Sequence, residues 1–473
     1  MKETHPAIRK KMGMNRSWEY LHEDASLLAL IKECCNHKDL SKGSRIHAHI
    51  LQKGSSFLTN NVFIATALVT MYAKCGELLK ARDLFDEHLS TFTRDLVSWT
   101  SLISGYSQHG FSEDALKCFD RMRNEGLHPD AFTFSCVLKV CGSIGASHKG
   151  KEIHVEIVNE ESNLFLQDPI LGSALVDMYA KCGYLTSAQR VFDEIHVRNV
   201  ISWTALITGF CKYGQGEEAL SCFRRMLCEG ISPNPVTFCC VLKACGNVGI
   251  PEKGKEVHAE IVREGMLAND SILGNALVDM YAKCGILERA QKVFDKLLIR
   301  NVVSWTSLLA GYAQLGKHDI VFYLFCKMRG EGIEPNFITF LVVLNACSFS
   351  GLVTEGETYF EVMRTSYGII PTLEHHTCMV DLFSRSGHFD KAMEMIEKMP
   401  SSEYLPLWVA LLGACYQWGN VKLGRLAFEH VVKLESNNEA AFICMSNIYM
   451  AAGMVDEAAN IEAMRENYYD KHP

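Results

Sequence analysis

No two of the 19 cysteines stand at the Cys-x-x-Cys spacing. That absence removes the usual motif for a zinc ribbon or a redox pair. Prolines are few, 11 in 473 residues, and they avoid the stretches with helical periodicity. Pro251 falls at a helix start, where a missing N–H costs nothing. No run approaches the roughly 20 apolar residues that span a bilayer. The longest, from Phe337 to Phe349, is broken by Thr339 and Asn345. A basic excess is missing too. The net charge of −8 is not the signature of a nucleic-acid binder, although the charge of the local groove, not the total, governs such binding. Near the N-terminus Lys2, Arg9, Lys10, Lys11 and Arg16 are interleaved with Glu3 and Glu19, a poor composition for a transit peptide.

What the chain does have is repetition. Met71-Tyr-Ala-Lys-Cys-Gly76 returns as Met178-Tyr-Ala-Lys-Cys-Gly183 and Met280-Tyr-Ala-Lys-Cys-Gly285. Val97-Ser-Trp-Thr100 returns as Ile201-Ser-Trp-Thr204 and Val303-Ser-Trp-Thr306. Lys149-Gly-Lys-Glu-Ile-His154 returns as Lys253-Gly-Lys-Glu-Val-His258. The last two copies of the first motif are 102 residues apart, from 178 to 280. A fixed period of this size, itself divided in three, marks a repeat array. Cysteines share repeated slots, Cys75 with Cys182 and Cys284, and Cys141 with Cys245. They read as buried, reduced thiols packing as small hydrophobes in a reducing compartment.

Residues 1–23 form an irregular lead-in. From 24 to 404 long, short and 35-residue units alternate without a linker. Long units cover 24–61, 131–168, 235–270 and 337–372. Short units cover 62–95, 169–199, 271–301 and 373–404, and 35-residue units cover 96–130, 200–234 and 302–336. Two further hairpins, 405–438 and 439–471, follow. In 302–336, Trp305, Leu308, Leu309 and Tyr312 give one helical stripe, and Val321, Leu324, Phe325 and Met328 a second. Gly316 sits where a left-handed residue ends the first helix, and Gly332 and Pro335 end the second. Unit 96–130 repeats the design with Trp99, Leu102, Ile103 and Tyr106, then Ala115, Cys118, Phe119 and Met122; Ser112 is the expected N-cap of its second helix. One hairpin cannot bury its own stripe, so stacked hairpins are required. The fold class is all-α, a right-handed α-solenoid of helix-turn-helix repeats with a long concave face, expected as an elongated monomer without metal.

The unit from Leu96 to Asp130, with Val-Ser-Trp-Thr at its start and Gly-Leu-His-Pro-Asp at its end, resembles a pentatricopeptide repeat. The alternation of three unit lengths resembles the plant PLS subclass of that family. Trp408-Val-Ala-Leu-Leu-Gly-Ala-Cys415 and Met445-Ser-Asn-Ile-Tyr-Met-Ala-Ala-Gly453 resemble its two C-terminal extension (E) motifs, without the DYW deaminase domain that often follows. The resemblance covers nearly the whole chain. It implies sequence-specific binding of single-stranded RNA in mitochondria or chloroplasts, one base per repeat, and selection of cytidines for conversion to uridine.

The resemblance assigns base reading to the fifth and last residues of a repeat. Here these pairs are Thr66 with Asp95, Thr100 with Asp130, Ser173 with Asn199, Thr204 with Asn234, Asn275 with Asn301, and Thr306 with Asn336. Short polar groups can discriminate the Watson–Crick edges of unstacked RNA. The same Asp and Asn residues, at hairpin ends, also fit plain turn chemistry. The apolar second residues, implied to wedge between bases, are Phe63, Val97, Ile170, Ile201, Ile272 and Val303. Unit 62–95 is longer than its counterparts, with Ser90-Thr-Phe-Thr-Arg94 near its end, so Asp95 is expected to be displaced. The long units carry Ser135, Cys239 and Leu341 at the fifth place and are expected to read poorly or not at all. Unit 373–404 pairs Thr377 with Tyr404, an unusual ending. The family's pairing rules give a site 5′-GGnAAnYA-3′.

Two other classes compete. A zinc deaminase needs His-x-Glu plus Cys-x-x-Cys. His154-Val-Glu156 and His258-Ala-Glu260 match the first half only, at equivalent places in two long units. The chain is therefore expected to be no enzyme and to use no cofactor. A separate deaminase-bearing protein or editing factor would be recruited through 405–471. A tetratricopeptide-like protein scaffold shares Trp99, Leu102, Tyr106, Ala115 and Phe119, but has Gly where Ile103 stands. RNA stabilisation or splicing stays open beside editing.

Overall fold

The computed structural model describes residues 25–471 apart from 53–55, 90–92, 160–167, 269–270, 400 and 402. The expected lead-in, 1–23, lies outside the described residues. Among the described residues every regular element is a helix. The chain forms two compact units, Met1–Cys240 and Val241–Pro473, and the boundary falls inside the helix Pro235–Val248. Each unit is a stack of antiparallel α-hairpins, the solenoid architecture.

The first unit opens with helices over 25–37 and Leu40–Leu51. Short hairpins are Val62–Cys75 with Leu78–His88, and Pro169–Lys181 with Leu185–Glu194. Between them lie Leu96–Gln108 with Ser112–Asn124, then Ala131–Ile144 with Ser147–Asn159. Val200–Lys212 with Gly216–Cys228 follows. The second unit continues with Pro251–Arg263, then Ser271–Lys283 with Leu287–Lys296, Val302–Gln314 with His318–Gly330, and Phe337–Ser350 with Val353–Thr365. It ends with Leu373–Arg385 and Phe389–Glu397, Leu405–Trp418 and Val421–Leu434, and Glu439–Ala451 and Val455–Lys471. Two short elements, Ser56–Asn60 and the 3-10 turn Met266–Ala268, occupy the ends of long repeats. The periodicity did not announce them.

The recurring motifs are where hairpins meet. Trp99, Trp203 and Trp305 are fully buried. Each takes the edge of a phenylalanine from the preceding short hairpin: Phe85 at 4.5 Å, Phe192 at 4.4 Å and Phe294 at 4.7 Å between centroids. Arg94, Arg198 and Arg300 cover the outer face of those phenylalanines. Removing such a tryptophan costs about 3–5 kcal/mol in a packed core. The two other motifs pack on each other. A Cβ added at Gly150 would meet the Met178 sulfur at 2.5 Å, and one at Gly254 the Met280 sulfur at 2.4 Å. So Lys-Gly-Lys-Glu supplies a notch for the methionine of Met-Tyr-Ala-Lys-Cys-Gly. Likewise Gly209 and Gly311 let the 35-residue repeats approach Ala180 and Ala282, at 2.7 and 2.6 Å for an added Cβ.

Two local expectations are corrected. Ser112 is the first helical residue, not the N-cap; Phe111 holds that place with no side-chain cap. The preceding helix decides this. Gly110 turns left-handed at φ 82°, and Phe111 N–H bonds back to the Tyr106 carbonyl at 2.9 Å. The cysteines are all free, but not all buried. Cys141 and Cys245 are buried, while Cys75, Cys182 and Cys284 are half-buried at helix ends and Cys228 and Cys326 are exposed. Burial pushes the thiols of Cys141 and Cys245 up to about 12, so they stay protonated and unreactive.

Candidate nucleic-acid interface

In the six repeats whose fifth and last residues were paired above, the last residue is the N-cap of the next helix. Asp95, Asp130, Asn199, Asn301 and Asn336 have extended backbone there. Their Oδ1 atoms accept backbone N–H groups. Ser98 N donates to Asp95 at 2.8 Å, Thr133 N to Asp130 at 2.8 Å, Ser202 N to Asn199 at 2.9 Å and Thr237 N to Asn234 at 2.8 Å. Ser304 N donates to Asn301 at 3.1 Å and Thr339 N to Asn336 at 3.0 Å. The turn reading of these residues is thus correct, and it has a chemical result. A backbone N–H can only be received by oxygen. The amide of each asparagine is therefore fixed with its oxygen towards the helix, leaving the Nδ2 donors on the other side. Asp95 and Asp130 leave Oδ2, an acceptor. Asp95 is not displaced. The extra length of its repeat falls after helix Leu78–His88, and the cap sets Asp95 as it sets the others.

The fifth residues lie beside these caps. Ser173 Oγ lies 3.3 Å from Asn199 Oδ1 but gives its one proton to its own helix at Pro169 O, 2.5 Å away, and Asn275 Nδ2 donates to Asn301 Oδ1 at 3.3 Å. The other pairs meet through a third residue. Thr100 lies 2.7 Å from Thr133, which donates to Asp130 at 2.6 Å. Thr204 lies 2.7 Å from Thr237, which donates to Asn234 at 3.0 Å. Thr306 lies 2.7 Å from Thr339, which donates to Asn336 at 3.0 Å. Thr66 and Asp95 are not joined: Thr66 Oγ1 is buried with no partner among the described residues. The fifth residues are buried except Thr204, which is half-buried. Only their edges are available to a ligand.

Thr133, Thr237 and Thr339 were missed by the sequence reading. They are fully buried. Their signal was present as Asp or Asn followed three residues later by Thr, a capping-box pattern. Two fifth residues outside the six pairs bond their own helices, as Ser173 and Thr204 also do. Ser135 bonds its own helix at Ala131 O, and Thr377 does so at Leu373 O. Tyr404 caps without a side-chain bond. Beyond it a recess of about 520 Å³ opens beside Thr377, Asp381 and Arg385. Val409 and Gly413 line it where the 35-residue repeats carry Thr306 and Ala310.

The second residues are exposed, from 52% at Val303 to 76% at Phe63, with Val97, Ile170, Ile201 and Ile272 between. Apolar side chains this exposed at one repeated position contribute little to the core. Four and eight residues beyond the fifth position, on the same helix face, the short repeats carry ion pairs. Lys181 meets Asp177 at 2.7 Å, Lys283 meets Asp279 at 2.8 Å and Arg385 meets Asp381 at 2.8 Å. In these three repeats the face that holds the fifth residue thus also carries cations, each matched by a carboxylate one turn before it.

The His-x-Glu pairs are structural. His154 and His258 hydrogen-bond Tyr179 and Tyr281. No cluster able to hold a metal ion exists among the described residues, nor any helix long and apolar enough to cross a membrane.

The model of the PPR repeat family matches residues 94–143, 198–247 and 300–348. The PPR repeat model matches 63–87, 173–200, 275–302, 338–367 and 374–404. The chloroplastic pentatricopeptide repeat-containing protein CRR2 of Arabidopsis thaliana is 38% identical over 92% of this chain and 66% of its own length. A mitochondrial pentatricopeptide repeat-containing protein of the same plant is 36% identical over 91% of this chain and 75% of its own length. The chain spans just under two thirds, 66%, of the length of two such relatives. In fold it is similar to the pentatricopeptide repeat protein PPR10, solved in complex with an 18-nt psaJ RNA element. The TM-score is 0.68 at 17% identity, covering 91% of this chain and 64% of that one.

Proposed function

The chain belongs to the pentatricopeptide repeat family, and on that premise we propose that it reads single-stranded RNA by sequence in a plant organelle, mitochondrion or chloroplast. The reading includes the finer role of choosing cytidines for conversion to uridine. One observation carries the recognition. Six caps at equivalent positions turn a fixed polar group outward, an amide donor for Asn and a carboxylate acceptor for Asp, beside an exposed apolar residue. Guanine offers donors on its Watson–Crick edge, which suits Asp95 and Asp130. Adenine and the pyrimidines offer a ring or carbonyl acceptor, which suits Asn199, Asn234, Asn301 and Asn336. The exposed Phe63, Val97, Ile170, Ile201, Ile272 and Val303 would separate successive bases, and Lys181, Lys283 and Arg385 would face the phosphates.

Names of relatives as chloroplastic or mitochondrial support the compartment, and the RNA in the PPR10 complex supports the ligand. Deamination of the chosen cytidine would be supplied by a separate deaminase-bearing protein or editing factor recruited through the hairpins of 405–471. The chain acts as a monomer in this scheme.

The test is binding of the purified chain to 5′-GGNAANYA-3′ and to variants changed one base at a time. Preference for the stated base at each coded position supports the reading. Equal affinity for all sequences, or no binding of single strands at low salt, defeats it. A protein scaffold would give the second result. Sequencing organelle transcripts from plants lacking the protein then separates editing from stabilisation or splicing.

A further inference from the structure

A hydroxyl has one proton, and at two hairpin junctions its destination is fixed by the neighbours. Asn336 Oδ1 and Asp130 Oδ1 have no proton to give, so the Thr339 and Thr133 hydroxyls must donate to them, at 3.0 and 2.6 Å. The Thr339 and Thr133 oxygens then have only lone pairs left. Thr306 and Thr100, 2.7 Å away, must therefore donate inward to them. Thr204 has a second acceptor, the Val200 carbonyl at 2.6 Å, so at that junction Thr237 does not decide where its proton goes. The fifth residue, a group able in isolation to donate or accept, is left with lone pairs alone.

We propose that Thr133 and Thr339 are positioning residues for base selection: by taking up the proton of the fifth-position threonine they make it an acceptor only. The inference rests on the RNA-reading role above. It adds the residue three places beyond the cap to the determinants of specificity. Beside Asp130, an acceptor-only Thr100 presents two acceptors to the two donors of guanine, N1–H and N2–H. Beside Asn336, an acceptor-only Thr306 presents one donor and one acceptor, the complement of adenine N1 and N6–H. Left free to donate, Thr306 would equally satisfy bases with two acceptors, and the selection would blur.

The short-to-35 junctions are built differently. There the third residue is serine, and its hydroxyl donates to the main-chain carbonyl of the cap, Ser98 to Asp95 O and Ser304 to Asn301 O, both at 2.8 Å. Among the described residues the relay is therefore found at the junctions ending in Asp130 and Asn336. His375 replaces it after the uncoded repeat with Leu341, where it bonds Thr372 and the Phe337 carbonyl instead.

The experiment compares wild type, Thr339→Val and Thr339→Ser on 5′-GGNAANYA-3′ RNAs bearing each base in the last place. Valine keeps the shape and removes the acceptor; serine restores it. Wild type and Thr339→Ser should prefer A. Thr339→Val should lose about tenfold of that preference, the scale of one base-edge contact, and keep its preferences at the other positions. A preference that survives Thr339→Val overturns the inference alone. So does an equal loss of affinity for every RNA, which marks a structural role. A wild-type chain with no preference at that place overturns the RNA reading itself. Thr133→Val, in the other unit and at the place read as G, decides the question if Thr339→Val does not fold.

Discussion

His154 Nδ1 lies 2.9 Å from the Tyr179 hydroxyl, with the two rings edge-on at 72°. His47 with Tyr72 and His258 with Tyr281 repeat the contact at 3.0 Å. Each pair ties the second helix of a long repeat to the first helix of the short repeat after it. Burial pushes all three imidazoles below their ordinary value; nearby cations Lys80, Arg289 and Lys296 push the same way, and Glu194 opposes at His154. The folded chain keeps them neutral, whereas the unfolded chain binds protons near pH 6.5. Stability from these sites is present above that pH and is lost as pH falls below it, because the unfolded state then binds more protons. Melting followed by circular dichroism should show Tm falling from pH 7 to pH 5. The triple change of His47, His154 and His258 to Phe should flatten the slope; an unchanged slope refutes this account.

Asn336→Asp replaces the outward amide donor by a carboxylate acceptor while keeping the cap. The preferred base opposite repeat 302–336 should move from A towards G, with about 1–3 kcal/mol of discrimination. Competition binding with RNAs differing at that base measures it. Loss of affinity for all sequences alike would leave Asn336 a cap and nothing more.

Two glycines in one unit should behave oppositely. An alanine at Gly311 would press its Cβ to 2.6 Å from the Ala282 Cβ, and overpacking of this kind costs about 1–3 kcal/mol. At Gly413 the added methyl meets nothing within 4 Å, so Gly413→Ala should be neutral or stabilising by up to about 1 kcal/mol through helix propensity. Denaturant melts of both variants test the contrast, and equal effects would contradict the packing described.

Ile201→Ser removes an exposed apolar side chain that touches little of the protein. Stability should change by less than about 0.5 kcal/mol, while RNA affinity falls for every sequence by a similar factor. A variant that binds as well as wild type would remove the second position from the interface.

The hairpins were legible because every helix carries its own stripe and its own stop. Trp305, Leu308, Leu309 and Gly316 suffice to draw one. The polar pairs were legible through the resemblance and through their phase. What escaped the sequence was decided between helices. The N-cap at Phe111 is imposed by the turn at Gly110, whatever Ser112 prefers. The place of Asp95 is held by Ser98, so an insertion upstream does not move it. Thr339 looks like a capping residue, and only the 2.7 Å contact from a different hairpin reveals its second bond.

The caps also bear on how such a chain can change its target. Asp and Asn serve helix capping almost equally, since the fold uses only the oxygen both share. The part that differs is the part turned away from the protein. On the proposed reading, a single-nucleotide change between the two residue types would alter the preferred base with little penalty to folding. Residues unable to cap are filtered out by stability before recognition is ever tested. On that reading the cap chemistry limits the alphabet of the array, while the atoms turned outward spell its text.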